Sequence, residues 1–139
     1  MGNRLPDILL RCHVWFVATA VVPMAKFLPL KRVLRLLSPP RWFRPYRGIP
    51  AGMIRRVVDR RLARPVVMTY RPCLRKGLVL FHMLQLAGLP ARLHFGLYPR
   101  SREGEAFRGH CWVTVDGEFV GEAPDESLTA VWTHPGVRG

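Results

Sequence analysis

The segment from Cys73 to Ala87 is almost wholly apolar, and it constrains the fold more than any other part of the chain. Pro72 suits the first turn of a helix, Gly88 favours a helix end, and Pro90 prevents continuation beyond it. The apolar surface is interrupted only by Arg75, Lys76, His82 and Gln85. A helix that is apolar on nearly every side has to be buried, so the sequence predicts a central core helix.

Cys73 lies in the first turn of this predicted helix, where unpaired N–H groups and the positive end of the helix dipole stabilise a thiolate. Arg71 and Arg75 are close in sequence and would add positive charge. Gly77 follows one turn later on the same face, where the lack of a side chain would let a strand approach closely. The pattern predicts a reactive thiol at the start of a buried helix.

Strand patterns follow the helix. Alternating apolar residues predict a strand over residues 91–98, and the polar residues 99–108 predict an exposed loop. Residues 110–115 and 118–123 then form a predicted hairpin that turns at Asp116-Gly117. The expected fold class is therefore α+β, with the central helix packed on an antiparallel sheet.

The hairpin turn decides whether His110 can meet an acid on the next strand. A two-residue turn at Asp116-Gly117 pairs Glu122 with Cys111, which puts Glu122 and His110 on opposite faces. A three-residue loop that begins at Val115 pairs His110 with Glu122 instead, with Cβ atoms about 5 Å apart. The second register also gathers Cys111, Val113, Val115, Phe119 and Ala123 on one apolar face, which favours it.

Charge divides the chain into two unlike halves. Residues 1–72 hold 15 Lys and Arg against two acidic residues, whereas residues 73–139 hold seven basic and seven acidic residues. This predicts an anionic partner for the first half, which could be an acidic peptide, lipid headgroups or, least favoured, nucleic acid.

The length fits a single domain, 1–139, with a basic helical extension over 1–50 and a catalytic core over 51–139. A helix is expected at 51–62.

The first apolar run, from His13 to Ala25, is uncharged but only 13 residues long and contains Pro23. A spanning helix needs about 20 apolar residues, so the run is judged too short to cross a membrane. A signal peptide is a less favoured alternative. The preferred interpretation is an amphipathic helix that is buried or touches a membrane surface, followed by a basic and apolar helix at 31–37.

The cysteines and histidines provide little support for a metal or a disulfide framework. The three cysteines are an odd number, lie far apart and lack CxxC spacing, which favours a reducing, cytoplasmic location. Structural roles are expected for Cys12, His82, His94 and His134, and a metal site built from them is disfavoured. No cofactor is predicted.

Several motifs together resemble a known family. Cys73-Leu74, the turn Ala87-Gly88-Leu89-Pro90-Ala91, and the strand His110-Cys111-Trp112-Val113 ending in Val115-Asp116-Gly117 are similar to the transglutaminase-like leader peptidases of lasso-peptide biosynthesis. The resemblance covers roughly residues 53–125. Two positions depart from the family pattern, because Cys111 replaces the usual alanine and Glu122 replaces the usual aspartate.

The resemblance implies a papain-like, transglutaminase-like core and a cysteine peptidase that removes the leader from a lasso-peptide precursor. It implies that Cys73 is the nucleophile, His110 the general base and Glu122 the group that orients His110, with Asp125 as the next candidate for that role. It further implies a precursor peptide substrate, a separate leader-recognition protein and an ATP-dependent lasso cyclase as partners.

Two other functions stay open at this point. The same thiol could pass its acyl group to an amine instead of water, which would make the protein a transglutaminase-like acyl transferase. Alternatively, the chain could be a non-catalytic basic adaptor that binds a membrane or nucleic acid through residues 1–72. In the second case Cys73 and His110 would be ordinary structural residues.

Overall fold

A computed structural model describes residues 4–40, 42–62, 72–97, 109–121 and 129–134. Four helices come first along the chain: α1 (Arg4–Phe27), α2 (Leu30–Leu36), α3 (Ala51–Leu62) and α4 (Pro72–Leu86). Four strands follow: β1 (Ala91–Leu97), β2 (Gly109–Val115), β3 (Glu118–Val120) and β4 (Thr129–His134). The order of helices followed by a small antiparallel sheet confirms the predicted α+β class.

Helix α4 is the central element, as its composition predicts. Leu78, Val79, Phe81, Met83 and Leu84 have no exposed surface. The helix contacts α1 and α3 as well as β1 and β2, so it lies between the other long helices and the sheet. Gly88 ends it with a φ of +78°, a conformation that glycine adopts without steric cost.

The helices α1 and α2 share the core with the rest of the chain. Leu10, Val14 and Val21 of α1 and Leu34 of α2 belong to the same buried cluster as the α4 side chains. His13 and Tyr46 are joined by a 2.8 Å hydrogen bond beneath α1, which ties the helix to the connector before α3. Burial of these apolar side chains supplies the main free energy that holds α1 in place.

The length of α1 corrects the expectation that its apolar run is too short to cross a membrane. The helix continues through Pro23, and the stretch Asp7–Phe27 has a mean hydropathy of 1.7 and the length needed to cross a membrane. Judging it from the uncharged run 13–25 alone was wrong, because a few charged residues near the ends do not exclude a spanning helix. The same properties occur in signal sequences and in core helices, and α1 buries one face against the protein.

The sheet has the strand order β3-β2-β1-β4, and every neighbouring pair is antiparallel. Strand β4 was not predicted, although it pairs with β1 from Leu93↔His134 to Leu97↔Thr129. Pairing across β1 and β2 places Leu93 with Val113 and His94 with Trp112. Because neighbouring residues of a strand point to opposite faces, the first pair faces α4 and the second pair lies on the outer face.

The hairpin between β2 and β3 has the two-residue turn. Val115 pairs with Glu118, Thr114 with Phe119, and both turn residues have positive φ, 52° for Asp116 and 81° for Gly117. The favoured three-residue loop was therefore wrong. A turn with positive φ at both central residues matches the twist of the flanking strands, and Phe119 is left 51% exposed on the outer face instead of joining the apolar one.

Gly77 allows α4 and the sheet to approach closely, as expected. A Cβ atom built on Gly77 would lie 2.8 Å from Cys111 Sγ and 3.1 Å from Leu93 Cδ1. Real Cβ atoms essentially never lie as close as 2.8 Å to another heavy atom, so with any larger residue the Cys111 side chain or its strand would have to shift. The contact sets the spacing between the first half of α4 and β2.

Candidate active site

Cys73 is the second residue of α4 and lies in its first turn. The first N–H groups of a helix have no acceptor within the helix, and they point toward the space in front of it. Burial of the following turns holds this end of α4 in a fixed place against the sheet. The side chain of Cys73 itself lies outside the described side chains.

His110 is the second residue of β2 and is half-buried. It pairs with Gly96 of β1, which has no side chain that could cover the imidazole. His110 also lines a cleft of about 90 Å³ together with Lys76 and Gly77 of α4. These two residues come one helical turn after Cys73, so the fold brings the start of β2 against the end of α4 that carries the cysteine.

A stack of three rings runs across the outer face of β1 and β2. The rings of His110 and Trp112 are 6.4 Å apart at 20°, and those of Trp112 and His94 are 5.5 Å apart at 13°. Trp112 therefore lies between the two imidazoles. Stacking on a large aromatic ring restricts the orientation of His110 before any substrate binds.

His94 is held by two threonines. Its Nε2 is 2.7 Å from Thr114 Oγ1, and its Nδ1 is 3.0 Å from Thr133 Oγ1. Burial lowers the pKa of His94, and the charge of Arg92 lowers it further, so the ring stays neutral at physiological pH. These contacts agree with the structural role expected for His94. The Thr133 contact could not be foreseen, because β4 was not predicted.

Arg75 is bound to α1, a contact that its place in sequence near Cys73 did not predict. It is 7% exposed, and its Nε donates a 2.9 Å hydrogen bond to the Ala18 carbonyl of α1, with Nη2 donating to the same oxygen. Burial lowers the pKa of Arg75, and the nearby charge of Arg61 lowers it further. Arg71 lies outside the described residues.

The acidic member of the expected triad is not described. Glu122 and Asp125 both lie outside the described residues, because the description of this segment ends at Gly121. The observed turn does remove one argument for Glu122, since the register that pairs it with His110 does not form in the described hairpin. The assignment of Glu122 stays a prediction.

A second pair of histidines lies beneath α1. His82 Nδ1 donates a 2.7 Å hydrogen bond to the Leu37 carbonyl, and the rings of His82 and His13 are 5.8 Å apart in an edge-to-face arrangement. Burial lowers the pKa of both rings. Within the described part of the chain, no three His, Cys, Asp or Glu residues are placed to hold a metal ion.

The family model of the transglutaminase-like superfamily matches residues 14–133. Members of this superfamily are usually cysteine peptidases or acyl transferases. No curated protein and no solved structure matches the chain significantly. The match begins in α1 and ends in β4, so it includes the helix start with Cys73 and the strand with His110. The chain belongs to the transglutaminase-like superfamily.

Proposed function

We propose that the protein is a cysteine peptidase that removes the leader from a lasso-peptide precursor. One observation carries the catalytic part: His110, at the start of β2, lines the cleft against the turn of α4 that follows Cys73. Superfamily membership supports a thiol-based reaction at this place. The lasso-peptide part is supported by the motifs around Cys73, Gly88 and His110 that resemble that peptidase family.

The proposed reaction proceeds in two steps. The Cys73 thiolate attacks the scissile carbonyl, and an unpaired N–H at the start of α4 stabilises the oxyanion. Protonated His110 gives its proton to the leaving amine, and a thioester remains on Cys73. His110 then takes a proton from water, the hydroxide attacks the thioester, the leader leaves as a carboxylic acid, and the Cys73 thiolate is regenerated beside protonated His110. Glu122 orients the imidazole, with Asp125 as the alternative.

The proposed partners follow from this reaction. The substrate is a precursor peptide, delivered by a separate leader-recognition protein. Cleavage would free the amine of the core peptide, which an ATP-dependent lasso cyclase would then join to a carboxylate. Nucleic acid is not part of this proposal.

The central experiment replaces Cys73 with Ala in a reconstituted mixture of the chain, the precursor and the recognition protein. Without a nucleophile, cleavage should fall by about 10⁴-fold or more. The matched control is Cys111→Ala, which removes the other cysteine near the cleft and introduces the residue usual in the resembling family. Mass spectrometry of the precursor measures both variants, and normal cleavage by Cys73→Ala would refute the proposal.

Acyl transfer is the alternative that uses the same residues. A transferase passes the acyl group from Cys73 to an amine, so its product is a crosslink or an amine adduct and not a shortened precursor. Mass spectrometry of the same mixture distinguishes the two products. In either case, a comparison of Glu122→Gln with Asp125→Asn shows which carboxylate orients His110. The substitution that removes the orienting carboxylate should lower the reaction rate more than the other substitution does.

A further inference from the structure

The outward face of α1 is apolar along almost its whole length. Ile8, Trp15, Phe16 and Phe27 are 54%, 54%, 66% and 75% exposed. They recur at helical spacing with the exposed residues Cys12, Thr19 and Pro23, and the opposite face of α1 is buried in the core. From Ile8 to Phe27 the stripe is about 28 Å long at the usual rise of a helix. An exposed apolar surface of this length normally contacts another molecule or a membrane.

Positive charge lies next to this stripe. Within the described part of the chain, the ion pairs involve Arg11, Arg55 and Lys76, with Asp7 and Asp59 as their acids. Further exposed cations on α1, α2 and α3 have no carboxylate within salt-bridge distance among the described residues: Lys26, Lys31, Arg32, Arg35 and Arg60. Two of these cations lie at the stripe itself, because Lys26 Nζ is 5.7 Å from the centre of the Phe27 ring and Arg60 lines the same groove as Trp15.

A groove between α1 and α3 runs along one edge of the stripe. Its volume is about 410 Å³, and it is lined by Arg11, Cys12, Trp15, Val57, Arg60 and Arg61. The Arg61 guanidinium lies 5.4 Å from the centre of the Trp15 ring, and its buried Nε has no hydrogen-bond partner among the described residues. Guanidinium groups bind phosphate oxygens through paired hydrogen bonds, so the groove suits a phosphate-bearing group next to an apolar chain.

We propose that the outer face of α1 docks on an anionic lipid bilayer, with Trp15, Phe16 and Phe27 in the interface and a lipid phosphate in the groove between α1 and α3. This interaction is independent of the proposed peptidase activity. The helix lies along the surface and does not cross the bilayer, because its other face forms part of the protein core.

The shape and the charge favour a bilayer over other occupants. An acidic peptide in the groove would leave Phe16 and Phe27 in water, whereas a lipid surface covers the whole stripe. A second copy of the chain would bring an equally basic surface against this one, and like charges without acids between them repel. Anionic headgroups compensate the cations, and each Lys or Arg near such a surface strengthens binding about fivefold.

The test is co-sedimentation of the full chain with two kinds of vesicle, pure phosphatidylcholine and a mixture with phosphatidylserine. Binding should occur on the mixed vesicles and weaken as salt is added, since screening reduces the attraction. Trp15→Ser together with Phe16→Ser should lower the partition coefficient at least about tenfold, because two exposed aromatic rings no longer enter the interface. Lys26→Glu should lower it at least about fivefold.

Two matched controls lie on the outer face of the sheet, away from α1. Phe119→Ser removes an aromatic ring that is 51% exposed, and Arg92→Glu makes the same change in net charge as Lys26→Glu. Both should bind vesicles as the unchanged chain does. The proposal would be overturned if the controls lost as much vesicle binding as the α1 variants. It would also be overturned if binding did not depend on phosphatidylserine.

Two further results identify a different occupant and would also overturn the proposal. Without vesicles, a dimer in sedimentation equilibrium that Trp15→Ser and Phe16→Ser abolish would assign the stripe to a second copy. Absence of vesicle binding combined with tight binding of a fluorescent polyglutamate peptide would assign the groove to an acidic peptide. Far-ultraviolet circular dichroism of each variant, measured in parallel, shows whether it is still folded.

Discussion

At the scale of single residues, Gly77 and Cys111 show how one contact sets the distance between two elements. The sequence predicted a close approach at Gly77 because a glycine in a buried helix leaves room for a neighbour. It could not name that neighbour, which depends on which strand packs there. The structure identifies Cys111 and Leu93 as the side chains that fill the space.

Gly77→Ala should therefore destabilise the protein by about 1–3 kcal/mol, because the new methyl group overlaps Cys111 Sγ. In the background of Cys111→Ala the same substitution should cost less, since the sulfur is gone while Leu93 still crowds the site. Urea unfolding of the two single variants and the double variant measures the coupling. Strictly additive losses would show that Cys111 is not the limiting contact.

At the scale of elements, the hairpin β2–β3 shows why a register is hard to read from sequence. The apolar residues favoured one pairing and the Asp116-Gly117 dipeptide favoured the other. The turn prevailed because it matches the strand twist, and β3 is too short for its one exposed aromatic, Phe119, to outweigh that. Strand β4 was missed because its pairing with β1 joins distant parts of the chain.

Gly117→Ala should lower the free energy of unfolding by about 1 kcal/mol, because an L side chain rarely adopts a φ of 81°. Asp116→Asn should be nearly neutral, since asparagine is equally suited to the positive φ of the first turn position. No atom of the described residues lies within 4 Å of a Cβ on Gly117, so crowding by them does not contribute to the loss. Equal stability of both variants, measured by urea unfolding, would contradict the two-residue turn.

At the scale of the whole molecule, half-buried neutral histidines make the fold sensitive to acid. Burial lowers the pKa of His13, His82, His94 and His134 from the ordinary value of 6.5. The unfolded chain therefore binds protons at a higher pH than the folded chain does. The stability that the neutral histidines contribute is fully present above about pH 6.5. It is lost as the pH falls toward the lower pKa values of the folded chain.

The free energy of unfolding should thus be nearly constant down to about pH 6.5 and should then decline by up to about 1.4 kcal/mol per pH unit for each histidine that titrates. His82→Gln keeps an N–H donor for the Leu37 carbonyl but cannot be protonated. The free energy of unfolding of this variant should depend less steeply on pH. A variant with an unchanged slope would show that other groups cause the loss in acid.

The amino-acid sequence by itself determined the buried helix, the place of Cys73 in its first turn, the α+β class and the basic first half of the chain. These features depend on local patterns of apolar, proline, glycine and charged residues, which act over one or two turns. The tertiary structure decided the hairpin register, the addition of β4, the use of Arg75 by α1 and the exposed stripe of Trp15, Phe16 and Phe27. Each of these depends on which distant surfaces pack together, because packing alone decides whether a given apolar or charged side chain is buried, paired or left facing outward.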